Sequence, residues 1–322
     1  MRVLVLGGAG FIGSHLAKSY FDEGHFVEVV DIQSNQFFKN YCTREIIADL
    51  RDNVVVNNIL KNKWDIVHQM AADMGGAGYI NSGINDHLIV PNSISINANI
   101  ARNANPKNVK LLFFASSACV YRQTNQLSDD HVNCSEGSEY PAEPDTEYGW
   151  EKLFSERLFT SLAKNVGVNV KIGRFHNVFG PHGCWDGGKE KFPAALCRKI
   201  AHASNGGEIE LWGNGAQKRS FMYIDDAVIG VRKLCESRSF NGPVNLGCET
   251  MFSIKEMFEI VKNISGKSII AKYISGPVGV AARKSDNKLI NQKLSWAPSE
   301  NLKQNIRTTY EWVESQIQLH KI

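Results

Sequence analysis

The sequence predicts an α/β fold: a parallel, doubly wound sheet followed by a smaller α/β lobe. Short runs of β-branched and aromatic residues recur at 3–6, 26–30, 66–68, 111–115 and 168–175, separated by stretches long enough for helices. A glycine-rich turn follows the first run directly. Val3-Leu4-Val5-Leu6 and Leu111-Leu112-Phe113-Phe114-Ala115 lack polar alternation, as inner strands covered on both faces do. After Phe175 the rhythm changes, with loop signals at Gly180-Pro181-His182-Gly183 and Gly187-Gly188. Tyr223-Ile224-Asp225-Asp226-Ala227 and Pro243-Val244-Asn245-Leu246-Gly247 read as returns to the first lobe. The expected division is therefore 1–175, with returning segments near 220–247, against 176–219 and 248–322.

Composition narrows the function classes. With 43% hydrophobic and 21% charged residues over 322 positions, the chain can bury a large core, so disorder and fibrous repeats are excluded. The 36 Lys+Arg against 33 Asp+Glu form no basic stripe, which argues against nucleic acid as a partner. Seven cysteines without CxxC spacing signal neither a metal site nor a disulfide framework and suit a reducing compartment. No apolar run is long enough to span a bilayer. A soluble, cytoplasmic protein without membrane or metal partners is the expectation.

Gly7, Gly10 and Gly13 form G-x-x-G-x-x-G between the first strand and a helix that opens with Phe11 and Ile12. A pyrophosphate on a helix N-terminus needs backbone free of Cβ atoms, and the tight turn needs positive φ. The pattern is that of a Rossmann-like dinucleotide site, with Phe11 and Ile12 beside the cofactor. Asp31 ends the second strand 18 residues after Gly13. A carboxylate there accepts both ribose hydroxyls and repels a 2′-phosphate, which favours NAD over NADP. Asp49 and Leu50, after a third short strand, are candidates to bracket the adenine.

Tyr148 and Lys152 lie four residues apart in a segment of helical composition and share one face. An ammonium near a phenol favours the phenolate, which can take a proton from a sugar hydroxyl as hydride leaves. Ser117, at the end of the 111–115 run, is placed to join that relay. Glycine loop, Asp31, strand-end serine and Tyr-x-x-x-Lys in this order resemble the extended short-chain dehydrogenase/reductases, which bind NAD(P) in the first lobe and often a nucleotide sugar in the second.

Longer strings are more specific: AADMGGAGYI (71–80), FFASSACVY (113–121), YPAEPDTEYGWEKL (140–153), GRFHNVFGPHGCWDGGKEKFPAALCRK (173–199), QKRSFMYID (217–225) and ARKSDN near the C-terminus. Together they resemble the GDP-mannose 3,5-epimerase family over almost the whole chain. The resemblance implies that NAD oxidises the hexose C4, that carbons beside the ketone are inverted, and that the hydride then returns. It implies Cys119 as the base and Lys191 as the acid. For the GDP-sugar it implies Gly75, Gly76, Ser117, Asn177, Glu190, Lys191, Lys199, Gln217 and Arg219, with Arg283 on the diphosphate and a homodimer as the assembly. The chemistry is consistent, because inversion through an enolate needs a base on one face and an acid on the other.

Three other readings remain open from sequence. One is an epimerase of a GDP-heptose or of a 4-keto GDP-sugar. Another is a 3,5-epimerase/4-reductase of the GDP-fucose synthase kind, which should prefer NADPH, against Asp31. The third is a non-catalytic NAD-sensing protein, against which Tyr148, Lys152, Cys119 and Lys191 stand intact.

Overall fold

The structure is a computed structural model, and it describes residues 1–319. Its strands are β1 (Arg2–Leu6), β2 (Phe26–Asp31), β3 (Arg44–Ile47), β4 (Ile66–Gln69), β5 (Leu111–Ser117), β6 (Asn169–Phe175), β7 (Val178–Phe179), β8 (Glu208–Trp212), β9 (Lys218–Ser220), β10 (Met222–Tyr223), β11 (Val244–Leu246), β12 (Met251–Ser253), β13 (Ile270–Ile274) and β14 (Ala282–Arg283). The helices are α1 (Phe11–Phe21), α2 (Asn53–Leu60), α3 (Ala77–Ile80), α4 (Asp86–Asn103), α5 (Glu147–Val166), α6 (Phe192–His202), α7 (Ile224–Glu236), α8 (Ile254–Ser265), α9 (Lys288–Leu294) and α10 (Leu302–Leu319).

Seven strands form one parallel sheet in the order β11-β6-β5-β4-β1-β2-β3. The inner strands β1, β4 and β5 are buried almost throughout, which is why they appear in the sequence as unbroken apolar runs. Two cores cover the two faces: α1 and α7 pack with Val3, Val5 and Phe113, while α2, α4 and α5 cover Leu4, Leu6, Leu112 and Phe114. The chain runs outward one way through β2 and β3 and the other way from β4, so the sheet's crevice opens at the C-terminal ends of β1 and β4.

The sheet does not close with residues before 176. On one edge its outermost strand, β11, comes from Val244–Leu246, and α7 packs on α1. Beyond the sheet, α6, α8 and α10 enclose a separate core of Leu196, Ile200, Met257, Val261, Ile306 and Val313. The parallel pair β8–β13 and the three-stranded β12-β9-β14 complete this part.

Candidate active site

At the end of β1, Gly7 takes φ +77°, where a side chain would be strained. A Cβ on Gly13 would sit 2.2 Å from the Gly7 carbonyl oxygen, so helix and turn can touch only through glycine. Gly10 caps α1 without a side chain of its own, leaving first-turn N–H groups open to an anion. Asp31 Oδ2 accepts from Ala9 N at 3.0 Å and Oδ1 from Ile32 N at 2.8 Å, which fixes the carboxylate beside the turn. Burial raises the Asp31 carboxyl, and these backbone donors oppose the rise. Phe11 and Ile12 are half-buried at the start of α1. Leu50 is buried after β3, whereas Asp49 is half-exposed and paired with Arg51 at 2.6 Å. A cradle without Cβ atoms ending at an oriented carboxylate fits a dinucleotide with free ribose hydroxyls.

Helix α5 begins where the Thr146 hydroxyl accepts from Gly149 N at 3.1 Å and ends at Gly167, φ +85°. That register buries both Tyr148 and Lys152 against β5. Lys152 Nζ donates to the Ala115 carbonyl at 3.1 Å and lies 5.7 Å from the Tyr148 ring centroid. Burial pushes the Tyr148 phenol well above its ordinary value, with Cys119 and Glu151 adding to this and a hydrogen bond from Ser117 opposing it. Burial also lowers Lys152, while Glu151 and Cys119 act to raise it. Lysine alone therefore does not bring this phenol toward neutrality, contrary to the sequence expectation. At this depth desolvation outweighs a cation seated against the ring.

Ser117 closes β5 and its Oγ accepts from Cys119 N at 3.2 Å, bending the chain into a short 3₁₀ turn. Cys119 thus packs beside Tyr148, against Met74, Tyr79 and Ile80. The Arg283 guanidinium reaches the same sulfur from β14 at 3.1 Å. Its Nη2 donates to both Asp145 oxygens at 3.1 Å and its Nε to Gln126. Lys191 is half-buried at the start of α6, where burial lowers its ammonium and the electrostatic influence of Cys119 opposes that. Among the described residues, no side-chain hydrogen bond partner is found for Lys191.

Most of the remaining sequence candidates are bonded within the protein. Asn177 Nδ2 donates to the Ser220 carbonyl at 3.0 Å, Lys199 Nζ to Glu210 O at 2.7 Å, and Gln217 Nε2 to Trp212 O at 3.1 Å. Arg219 faces Arg283 in register across β9 and β14 and donates to carbonyls at 278, 280 and 281. Burial, then Arg283, push its guanidinium down to about 10. Glu190 accepts from Arg198 at 2.6 Å and from Gly188 N at 2.7 Å. At Gly76 the close approach is to protein: a Cβ would lie 2.1 Å from the Glu190 carbonyl oxygen. Gly75 lies under the Tyr79 side chain.

Sequence reasoning missed Gln126, Asp145 and Arg198, which hold Arg283 and Glu190 from outside. Asp145 and Arg198 lie inside the quoted strings and each pairs with a candidate, but nothing local marks Gln126 as a partner of Arg283, 157 residues away.

A family model described as "NAD dependent epimerase/dehydratase family" matches residues 3–247. GDP-mannose 3,5-epimerase 1 of Oryza sativa subsp. indica is 42% identical over 325 residues, covering 100% of this chain and 84% of that relative. GDP-mannose 3,5-epimerase of Arabidopsis thaliana is 42% identical with the same coverage. Among solved structures, UDP-glucuronic acid 4-epimerase from Bacillus cereus, in complex with UDP-glucuronic acid and NAD, superposes with a TM-score of 0.81 at 23% identity, covering 98% of this chain and 100% of that one. That likeness concerns the fold, whereas the family match spans the glycine cradle, Cys119, Tyr148 and Lys191 together. The chain belongs to the NAD dependent epimerase/dehydratase family.

Proposed function

We propose that this protein is an NAD-dependent epimerase of a GDP-sugar, with GDP-mannose as substrate and C3, C5 or both as the inverted centres. The observation that carries the reading is the packing of Tyr148 against Cys119, a phenol against a thiol, beyond the end of β5, with the Lys191 ammonium within the electrostatic reach of that thiol. The 42% identity to plant GDP-mannose 3,5-epimerases over the full chain supports the choice of sugar nucleotide.

Gly7, Gly10, Gly13, Phe11, Ile12, Asp31, Asp49 and Leu50 would hold NAD, whose contribution is to accept and return a hydride. Tyr148 takes the C4 hydroxyl proton as its phenolate, which the Lys152 ammonium and the positive charge of bound oxidised nicotinamide would favour against the burial that opposes it, while Ser117 orients that hydroxyl. The resulting ketone acidifies the neighbouring C–H bonds. Cys119 as its thiolate removes a proton from one face, the Lys191 ammonium delivers one to the other, Tyr148 returns its proton when C4 is reduced, and Cys119 and Lys191 recover their starting protonation by exchange with solvent between turnovers. No net redox change results. Asn177, Lys199, Gln217 and Arg219 would receive the nucleotide end and Arg283 the diphosphate, while Glu190, Gly75 and Gly76 would shape the loop over the sugar. The first lobe, 1–175 with 220–247, serves the dinucleotide; 176–219 and 248–322 serve the sugar nucleotide.

Two further features support finer readings. Trp150 and Phe154, one turn apart on α5, are 44% and 53% exposed, and Leu88 on the adjacent α4 is 45% exposed, an apolar face suited to a homodimer. All seven cysteines are free, in keeping with the cytoplasm, and no helix among the described residues is long and apolar enough to cross a membrane.

The test is to incubate the purified protein with GDP-mannose in D₂O and follow ring carbons by NMR. Deuterium at C3 or C5 with inverted product is expected. Deuterium at neither, with GDP-mannose unchanged, would overturn the reading, and a GDP-heptose or 4-keto GDP-sugar would be tried next. Sedimentation of Phe154→Glu beside the wild type tests the dimer, with a shift to monomer expected.

A further inference from the structure

Lys191 follows two glycines at φ +88° and +87°, Gly187 and Gly188, and caps a helix whose Ala195 N–H donates to its carbonyl at 2.9 Å. Its ammonium has no hydrogen-bond partner among the described residues, so no side-chain bond to the protein fixes its direction. Backbone position must do so. The residue before it is held firmly. Glu190 receives Arg198 Nη2 on one oxygen at 2.6 Å and the Gly188 N–H on the other at 2.7 Å.

Arg198 lies two turns further along α6, and its Nε donates to the Trp185 carbonyl at 3.0 Å. One guanidinium therefore ties the body of α6 to both sides of loop 187–191. On the far side, Gly76 N donates to Lys189 O at 3.0 Å, and the Lys189 ammonium sits 4.2 Å over the Tyr79 ring, the same ring that packs beside Cys119. The loop is thus fixed between α6 and the wall that carries the thiol.

We propose that Arg198 is a positioning residue for the inversion step: through Glu190 it fixes loop 187–191 so that Lys191 faces Cys119 across the sugar. This rests on the epimerase reading above. The guanidinium fork matters because one planar group must serve a carboxylate and a carbonyl together, which an ammonium does poorly. The partners of Arg198 are Glu190, Asp186 and the Trp185 carbonyl, all in or beside the loop and none in the Tyr148, Lys152 and Cys119 group, so hydride transfer and proton abstraction do not depend on it.

The experiment uses full-length Arg198→Ala and Arg198→Lys, saturated with NAD and mixed with GDP-mannose in D₂O. For Arg198→Ala, the NADH transient and ring-proton exchange stay within about twofold of wild type while inverted product falls roughly tenfold to a hundredfold. Arg198→Lys recovers part of the product. Parallel loss of all three signals, or unchanged product, would overturn the proposal. Amide hydrogen exchange without substrate gives an independent reading. In Arg198→Ala the amides of 187–191 exchange faster while Phe192–His202 stays protected; unchanged exchange in the loop also overturns the proposal. A wild-type protein with no NADH transient on GDP-mannose would count against the substrate assignment, and amide exchange would still decide whether Arg198 holds the loop.

Discussion

Arg283 and Cys119, 164 residues apart in the chain, meet with Nη1 at 3.1 Å from Sγ. The same guanidinium grips Asp145, so a cation, a carboxylate and a thiol share one buried junction.

Removing Arg283 leaves the Asp145 carboxylate, 8% exposed, without its cation. Arg283→Ala is expected to lower unfolding free energy by about 3–5 kcal/mol. Asp145→Ala with Arg283→Ala should cost less than the two single losses added. Denaturant unfolding of all three variants measures this, and strict additivity would contradict a coupled pair.

Tyr148→Phe is expected to abolish C4 oxidation, because no other group at that position takes the hydroxyl proton. Cys119→Ser should still oxidise but fail to invert, since an alcohol is a far weaker acid than a thiol. Transient NADH absorbance separates them. Identical behaviour of the two variants would remove the division of labour.

The protein should copurify with NAD(H) rather than NADP(H). Asp31 is oriented by Ala9 N and Ile32 N where a 2′-phosphate would meet its charge. The nucleotide released on denaturation settles the point, and a predominance of NADP(H) would refute the role given to Asp31.

Acid should unfold the protein before most carboxylates titrate. Burial depresses His68 and His176 to about 3 and His15 to about 4, so each stays neutral in the native state. Unfolded histidines protonate below about pH 6.5, so stability present above that pH is lost as pH falls toward the native values. Unfolding free energies from denaturant titrations at several pH values between 7.5 and 5 should therefore stay nearly level down to about pH 6.5 and then fall, by about 1.4 kcal/mol per pH unit for each group once well below 6.5. Equal free energies across the range would show these rings to be hydrated.

Periodicity exposed the sheet because its inner strands are buried on both faces, and the glycine turn because only glycine fits Gly7 and Gly13. Asp31, Tyr148 and Lys152 were legible for a similar reason, since short spacings tie them to one strand or helix. The support around them was not. Arg174 is clamped between Glu139 and Glu156, and Arg283 between Gln126 and Asp145, over separations of 18 to 157 residues that leave no local pattern. The rise of the Tyr148 phenol escaped sequence too, because it follows from depth and not from neighbours in the chain.

Strand β11 has a bearing on how the polypeptide comes into being. A ribosome that has made residues 1–175 has finished six strands, yet β6 still presents a bare row of N–H and C=O groups, and α1 lacks its cover. For roughly seventy further residues that rim stays sticky, which invites nascent chains to pair with one another or with a chaperone. A gene fragment ending at 175 would make that interval permanent and should yield insoluble protein.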